Sequence, residues 1–155
     1  VTSSEEIKAI AKKYGANVIR EAPASSLRSA LRQAVVWAED RQYKSILILP
    51  ADLADPSPVD IMGLIRISKC SEKEIIISPS MDYGTNALLI SPPSAVPLLF
   101  GYRSFFKHYR KAINSGVMVT VAPLASLKCD VDRAEDLQFL KKNNPHVWKA
   151  LTQHG

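Results

Sequence analysis

Ser45-Ile46-Leu47-Ile48-Leu49-Pro50-Ala51-Asp52 decides how the rest of the chain is read. Its apolar residues run unbroken from Ile46 to Leu49, as expected of a strand covered on both faces. Such a strand needs helices on either side of its sheet, so the neighbouring segments should supply them. Downstream, Ser57-Pro58-Val59-Asp60 is a helix start: a capping serine, proline at the first helical position, an acid in the first turn. That helix is expected to reach about Ser68, with Ile61, Leu64 and Ile65 inward. Upstream, residues 25–41 place Leu27, Ala30, Leu31, Ala34, Val35 and Ala38 at helical spacing. Before them, Ser3-x-x-Glu6 reads as a capping box leading to Ile7, Ile10 and Ala11, with Gly15 as the stop and Asn17 to Arg20 as a short strand.

The same alternation continues to the end of the chain. Glu74 to Ser78, Ala87 to Ser91 and Val117 to Ala122 read as strands. Gly101 to Asn114 enters a helix that Gly116 stops, Arg133 to Lys142 is another, and a short last one follows Pro145. Strands alternating with helices predict a single α/β domain over residues 1–155, a three-layer sandwich around a mostly parallel sheet. In such sheets, ligands bind outside the carboxyl ends of the strands. The residues just past each apolar run are therefore the candidates for function.

Composition fits that reading. The 155 residues are 46% apolar and 23% charged, which is globular rather than disordered. Two cysteines, Cys70 and Cys129, exclude a disulfide scaffold and a four-cysteine zinc site. No apolar run is long enough to span a bilayer, and Val1-Thr-Ser-Ser-Glu-Glu does not resemble a signal peptide. The expected setting is soluble, reducing and cytoplasmic, with no membrane partner. The net charge of +5 favours an anionic partner. Arg103, Lys107, Arg110 and Lys111 share one helix face, read as solvated, while Phe106, Tyr109 and Ile113 take another. Basic residues are not interleaved with exposed aromatics, so nucleic acid is not expected.

Four segments hold residues able to do chemistry. Asp52 follows what is expected to be the most buried strand, where a carboxylate can hold a hard cation such as magnesium or cap the next helix. Asp130-Val131-Asp132 puts two carboxylates on one side of an extended chain, where they can converge on one ion. Asp132 is also a possible helix cap. Asp82-Tyr83-Gly84-Thr85-Asn86 offers hydroxyl and amide donors beside a glycine, or is a plain connecting turn. Gly101-Tyr102-Arg103-Ser104-Phe105 enters a helix, whose free amides suit a phosphate; Ser104 either binds it or caps the helix. His108 is expected at the surface. No Ser-His-Asp order, nucleophile elbow or phosphate loop is present.

Taken in order, Leu49-Pro-Ala-Asp-Leu53, Gly84-Thr-Asn-Ala-Leu-Leu-Ile90, Gly101-x-x-Ser-Phe105 and Asp130-Val-Asp-x-x-Glu-Asp-Leu137 resemble the 2-phospho-L-lactate guanylyltransferases. These are nucleotidyltransferases with a glycosyltransferase-A-like fold, similar to nucleotide-diphospho-sugar transferases. The resemblance runs from about residue 1 to 142. It implies a magnesium-dependent enzyme joining GMP from GTP to 2-phospho-L-lactate or phosphoenolpyruvate, releasing pyrophosphate, in biosynthesis of coenzyme F-420. It further implies that Asp52, Asp130 and Asp132 hold Mg2+, and that Thr85, Gly101 and Ser104 hold the phosphorylated acid. The family's opening strand and its basic, proline-containing nucleotide loop are expected to lie outside this chain. Where the family usually has asparagine near the base, the chain has Arg28. Other readings of the same residues are an inactive domain that keeps the acid pocket, or a related transferase using another nucleotide or a sugar phosphate. A homodimer is possible, with Tyr102, Phe105 and Phe106 at the interface or in the core.

Overall fold

The structure is a computed structural model that describes residues 1–22, 26–69, 73–131 and 134–152. Its elements in chain order are α1 (Glu5–Lys13), α2 (Leu27–Asp40), β1 (Ile46–Ile48), α3 (Pro58–Ile67), β2 (Glu74–Pro79), β3 (Thr85–Ser91), α4 (Ser104–Asn114), β4 (Met118–Val121), a 3-10 turn at Ala125–Leu127, α5 (Ala134–Asn143) and α6 (Pro145–Thr152).

The four strands form one sheet in the order β1-β3-β2-β4. β2 and β3 are its interior strands, and their apolar runs Ile75–Ile77 and Ala87–Ile90 are at most 2% exposed. Side chains alternate across the sheet. Ile75, Ile77, Leu88 and Ile90 pack with Val96, Val117 and Ala112 of α4, while Ile76, Ala87 and Leu89 pack on the opposite face with Leu127 and Leu64 of α3. Two helix layers therefore enclose the interior strands, but β1, expected to be the most buried strand, is a half-buried edge strand of three residues, because it has a neighbour on one side only. Each such side chain contributes about 1.5–3 kcal/mol by leaving water.

β1, β2 and β4 run in one direction, as the expected parallel arrangement requires. The exception is β3, which is antiparallel to both β1 and β2, so parallel pairing occurs only between β2 and β4. The cause is the short turn between β2 and β3, since a parallel crossover needs a dozen or more residues. One consequence matters for function. β1, β2 and β4 end, and β3 begins, at the same rim.

Local details depart from the sequence reading. Ser4, not Ser3, caps α1, accepting from the Ile7 amide at 3.2 Å. Ser57 makes no side-chain capping bond, and Pro58 opens α3 without it. The strand expected at 17–20 reduces to one parallel bridge, Thr2 to Arg20. Leu27 and Ile65 are 60% and 45% exposed rather than inward, because each helix offers more apolar residues than its contact face can cover.

Candidate active site

Four separate segments meet at the shared rim, and main-chain hydrogen bonds tie them together. In the loop after β1, the Ala54 amide donates to the Cys129 carbonyl at 3.0 Å. The Val131 amide donates back to the Asp52 carbonyl at 2.9 Å, and Leu53 faces Asp130 in an antiparallel bridge. The Met81 amide donates to the Lys128 carbonyl, and the Phe105 amide to the Tyr83 carbonyl, both at 3.1 Å. The β1–α3 loop, the 128–131 segment, the β2–β3 turn and the start of α4 therefore form one continuous surface.

This pairing lays the Asp52 and Asp130 segments side by side, with Leu53 rather than Asp52 directly opposite Asp130. Asp52 is exposed and Asp130 half-buried. Asp132, the third expected carboxylate, lies outside the described residues. Among the described residues, no three His, Cys, Asp or Glu side chains gather as a metal site. Asp52 and Asp130 offer only oxygen donors, the kind a hard cation such as magnesium takes and a softer metal does not prefer. The backbone bridge fixes the two segments against each other before any ion arrives.

Thr85 and Ser104 also meet, with Oγ1 and Oγ 2.8 Å apart. A β-bulge makes this possible. Opposite β2, Ser78 pairs with Ala87 but Pro79 pairs with Thr85, so Asn86 is an extra residue. Alternation back from Leu89 and Ala87 would turn Thr85 toward α3. The bulge instead turns it toward α4, as bulges beside active sites often do. Ser104 is the first residue of α4, not its cap. That position belongs to Arg103, whose backbone is left-handed at φ 48° and whose guanidinium stands 5.5 Å above the Tyr83 and Phe106 rings. Gly101, at φ 116°, holds a conformation that favours glycine, and its carbonyl accepts the Ser104 amide at 3.0 Å. The Ser104 and Phe105 amides are thus both engaged internally, so α4 presents fewer free amides than its sequence suggests. The turn reading of Asp82 holds as well: its carboxylate accepts from Ser80 and from the Gly84 amide.

His108 was expected at the surface and is instead wholly buried. Its Nδ1 lies 3.2 Å from Thr85 Oγ1, and its Nε2 accepts the Leu99 amide at 2.8 Å. Burial, aided by the charge of Lys107, lowers its pKa to about 4 against the pull of a Ser104 backbone hydrogen bond. The ring is therefore neutral at pH 7. The signal in the sequence was a buried stripe of Ser104, His108 and Ala112, one residue every four along α4. The expected aromatic face lies partly outward instead, with Tyr109 39% and Ile113 52% exposed. Asn86 is buried too, and its Nδ2 has no hydrogen-bond partner among the described residues. Burial, then the nearby charges of Asp136 and Asp130, push the Cys129 thiol pKa up, which disfavours the nucleophilic thiolate. Cys70 lies outside the described residues.

Three cavities of about 550, 400 and 320 Å³ lie elsewhere, along α2 and the outer side of β1. The largest runs between α2 and residues 93–99 and is lined in part by Arg28 and Arg32.

An α/β sheet with carboxylates and hydroxyls gathered at its strand ends has the fold of the nucleotide-diphospho-sugar transferases. A structure described as such a transferase, from Desulfovibrio desulfuricans G20, superposes with a TM-score of 0.73 at 17% identity, covering 99% of this chain and 71% of that one. The chain belongs to the guanylyl transferase CofC-like family, whose model matches residues 1–145. It is 36% identical over 153 residues to the 3-phospho-D-glycerate guanylyltransferase of Colwellia psychrerythraea, covering 99% of this chain and 72% of that protein. It is 31% identical over 137 residues to the 2-phospho-L-lactate guanylyltransferase of Methanothermobacter thermautotrophicus, covering 88% and 60%. It is 35% identical over 115 residues to the phosphoenolpyruvate guanylyltransferase of Rubrobacter xylanophilus, covering 74% and 56%. The chain thus spans little more than half to under three quarters of the lengths of these relatives. No helix among the described residues is long and apolar enough to cross a membrane.

Proposed function

We propose that this chain forms the acid-binding and carboxylate-bearing part of a guanylyltransferase. The reaction transfers GMP from GTP to a small phosphorylated acid of the 2-phospho-L-lactate, phosphoenolpyruvate or 3-phospho-D-glycerate type. A phosphate oxygen of the acid bonds to the α-phosphorus of GTP, the bond from that phosphorus to the bridging oxygen breaks, and pyrophosphate leaves. The product belongs to coenzyme F-420 biosynthesis. The observation that carries the reading is the pairing of Leu53 with Asp130, which sets Asp52 beside the Asp130 segment at the same rim as Thr85 and Ser104.

The residues divide the work. Asp52 and Asp130, with Asp132, would hold magnesium, which when bound screens negative charge on phosphate oxygens. Thr85 and Ser104 offer hydroxyl donors to the acid, and Gly101 leaves room for an anion to approach the start of α4. Arg103 and Lys107 add positive charge nearby. The chemistry needs no protein nucleophile, in keeping with the raised pKa of the Cys129 thiol.

The test is pyrophosphate release by the longest form of the polypeptide from GTP and magnesium, with each of the three acids in turn. Turnover with one or more acids, lost in both Asp52→Asn and Asp132→Asn, supports the assignment. Acid binding without turnover on any nucleoside triphosphate would leave a binding domain in place of an enzyme. Turnover with only another nucleotide or a sugar phosphate would make it a different transferase. Full activity in both aspartate variants would remove the carboxylates from the mechanism.

A further inference from the structure

The hydroxyl pair at Thr85 and Ser104 is joined to a buried ring, and the hydrogens in that group can be counted. The Leu99 amide donates to His108 Nε2 at 2.8 Å, so Nε2 carries no hydrogen. A neutral imidazole has one N–H, which must then sit on Nδ1. That nitrogen lies 3.2 Å from Thr85 Oγ1, and Thr85 Oγ1 lies 2.8 Å from Ser104 Oγ. The ring thus takes no hydrogen from the hydroxyls, whether its own goes to Thr85 or is shared with the Ser104 carbonyl. The two hydroxyls hold two hydrogens and the contact between them uses one. The other is left over. With the opposite tautomer, Thr85 would donate to the ring and Ser104 to Thr85, leaving none.

An uncommitted donor in a group only 5% and 2% exposed, at Thr85 and Ser104, calls for a partner. An anionic oxygen is the partner that takes a hydrogen without returning one. We propose that His108 is a positioning residue: held in one tautomer by the Leu99 amide, it keeps a hydroxyl hydrogen of the Thr85–Ser104 pair free for an anionic oxygen of the phosphorylated acid. This rests on the acid-binding role given to Thr85 and Ser104 above. His108 touches no substrate and acts only through those hydroxyls. The main chain of Leu99 thereby sets the polarity of a binding site on the far side of the ring.

Two measurements on the 155-residue chain test it. Long-range 15N–1H correlation of the His108 ring at pH 7 is expected to show a neutral ring with hydrogen on Nδ1, and hydrogen on Nε2 would overturn the proposal whatever the chain binds. Calorimetry with phosphoenolpyruvate then compares the parent chain with His108→Phe and His108→Asn. The asparagine Nδ2 stands where the ring Nδ1–H stands, so that variant keeps a donor toward Thr85. The phenylalanine ring takes no hydrogen but gives none to set the direction of the Thr85–Ser104 bond, so that variant is expected to bind a few-fold more weakly, and asparagine, which keeps a donor toward Thr85, to recover most of that loss. Equal binding by all three would overturn the role of His108 alone. No binding by the parent chain would overturn the acid site and His108's role with it.

Discussion

Acidification should weaken the fold through His108, by an amount the structure sets. The ring is fully buried, with Phe100 edge-on at 5.0 Å, the Leu99 amide on one nitrogen and Thr85 Oγ1 near the other. A proton on Nε2 would displace the amide's bond and carry charge into the core. Burial, with the charge of Lys107, brings the folded pKa to about 4, against the ordinary 6.5. The unfolded chain binds the proton first as pH falls, so stability declines on acidification through the window between those values. The whole window is worth about 3 kcal/mol, and the step from pH 7 to pH 5 about 2 kcal/mol. Urea unfolding at pH 7 and pH 5 measures it directly. The parent chain is expected to lose about 2 kcal/mol more over that step than His108→Gln, which has no ring to protonate. The difference between the two isolates His108, because their carboxylates titrate alike. Parallel losses in both proteins would show that His108 is not held neutral by burial, and the hydrogen count at Thr85 and Ser104 would lose its footing.

Other consequences are simpler to read. Asp52→Asn is expected to change stability by less than about 0.5 kcal/mol, because the side chain is exposed, while lowering pyrophosphate release by roughly two to three orders of magnitude. Thermal unfolding and turnover on the same sample would separate the two effects, and a large drop in melting temperature would assign Asp52 a structural role. Gly84→Ala puts a Cβ 2.6 Å from Ser80 Oγ and 3.2 Å from Asp82 Oδ1, so it should cost about 1–2 kcal/mol in denaturant unfolding. The same change in a Ser80→Ala background should cost less; an equal cost would place the strain elsewhere. Cys129 should alkylate more slowly at pH 7 than a free thiol and accelerate only at higher pH, since its pKa is raised. Peptide-resolved mass spectrometry reads this, and fast labelling at pH 7 would contradict a half-buried, negatively surrounded thiol.

The fold was legible wherever burial writes itself into composition. Ile75–Ile77 and Ala87–Ile90 are unbroken apolar runs because both faces of the sheet are covered, and no alternating strand could sit there. Pro58 at the start of α3 and Gly116 after α4 mark their helix ends by backbone geometry alone, which needs no tertiary context. What the sequence hid depended on partners. The short stretch Asn17 to Arg20 reads as a strand, yet only one bridge forms, because pairing requires a neighbour that local sequence cannot specify. The direction of β3 was hidden for a related reason. Apolar runs carry no sign of orientation; the length of the Ser80–Gly84 turn carries it.

At the site, the divide falls between residues at strand ends and those that act through others. Asp52 was visible because a polar residue just past an apolar run stands where a sheet opens to ligands, and Thr85 and Ser104 because each is a hydroxyl close to a glycine, in a turn and at a helix entry. Their meeting was not visible, because it depends on main-chain bonds between residues far apart, such as Val131 to Asp52, and on one bulge. Simple alternation sends Thr85 toward α3, away from Ser104. The extra residue Asn86 reverses that, and its own buried amide is left without a partner among the described residues. Strict pairing is given up at one position and a hydroxyl gains the far side of the sheet. His108 follows from the same step. A histidine on a helix rich in lysine and arginine reads as solvated until the bulge brings Thr85 to its Nδ1 and the loop before α4 brings the Leu99 amide to its Nε2. Neither contact has a local signature. The irregular backbone at Asn86 and at Leu99, rather than any helix or strand, is therefore what brings Thr85, Ser104 and His108 together at this rim.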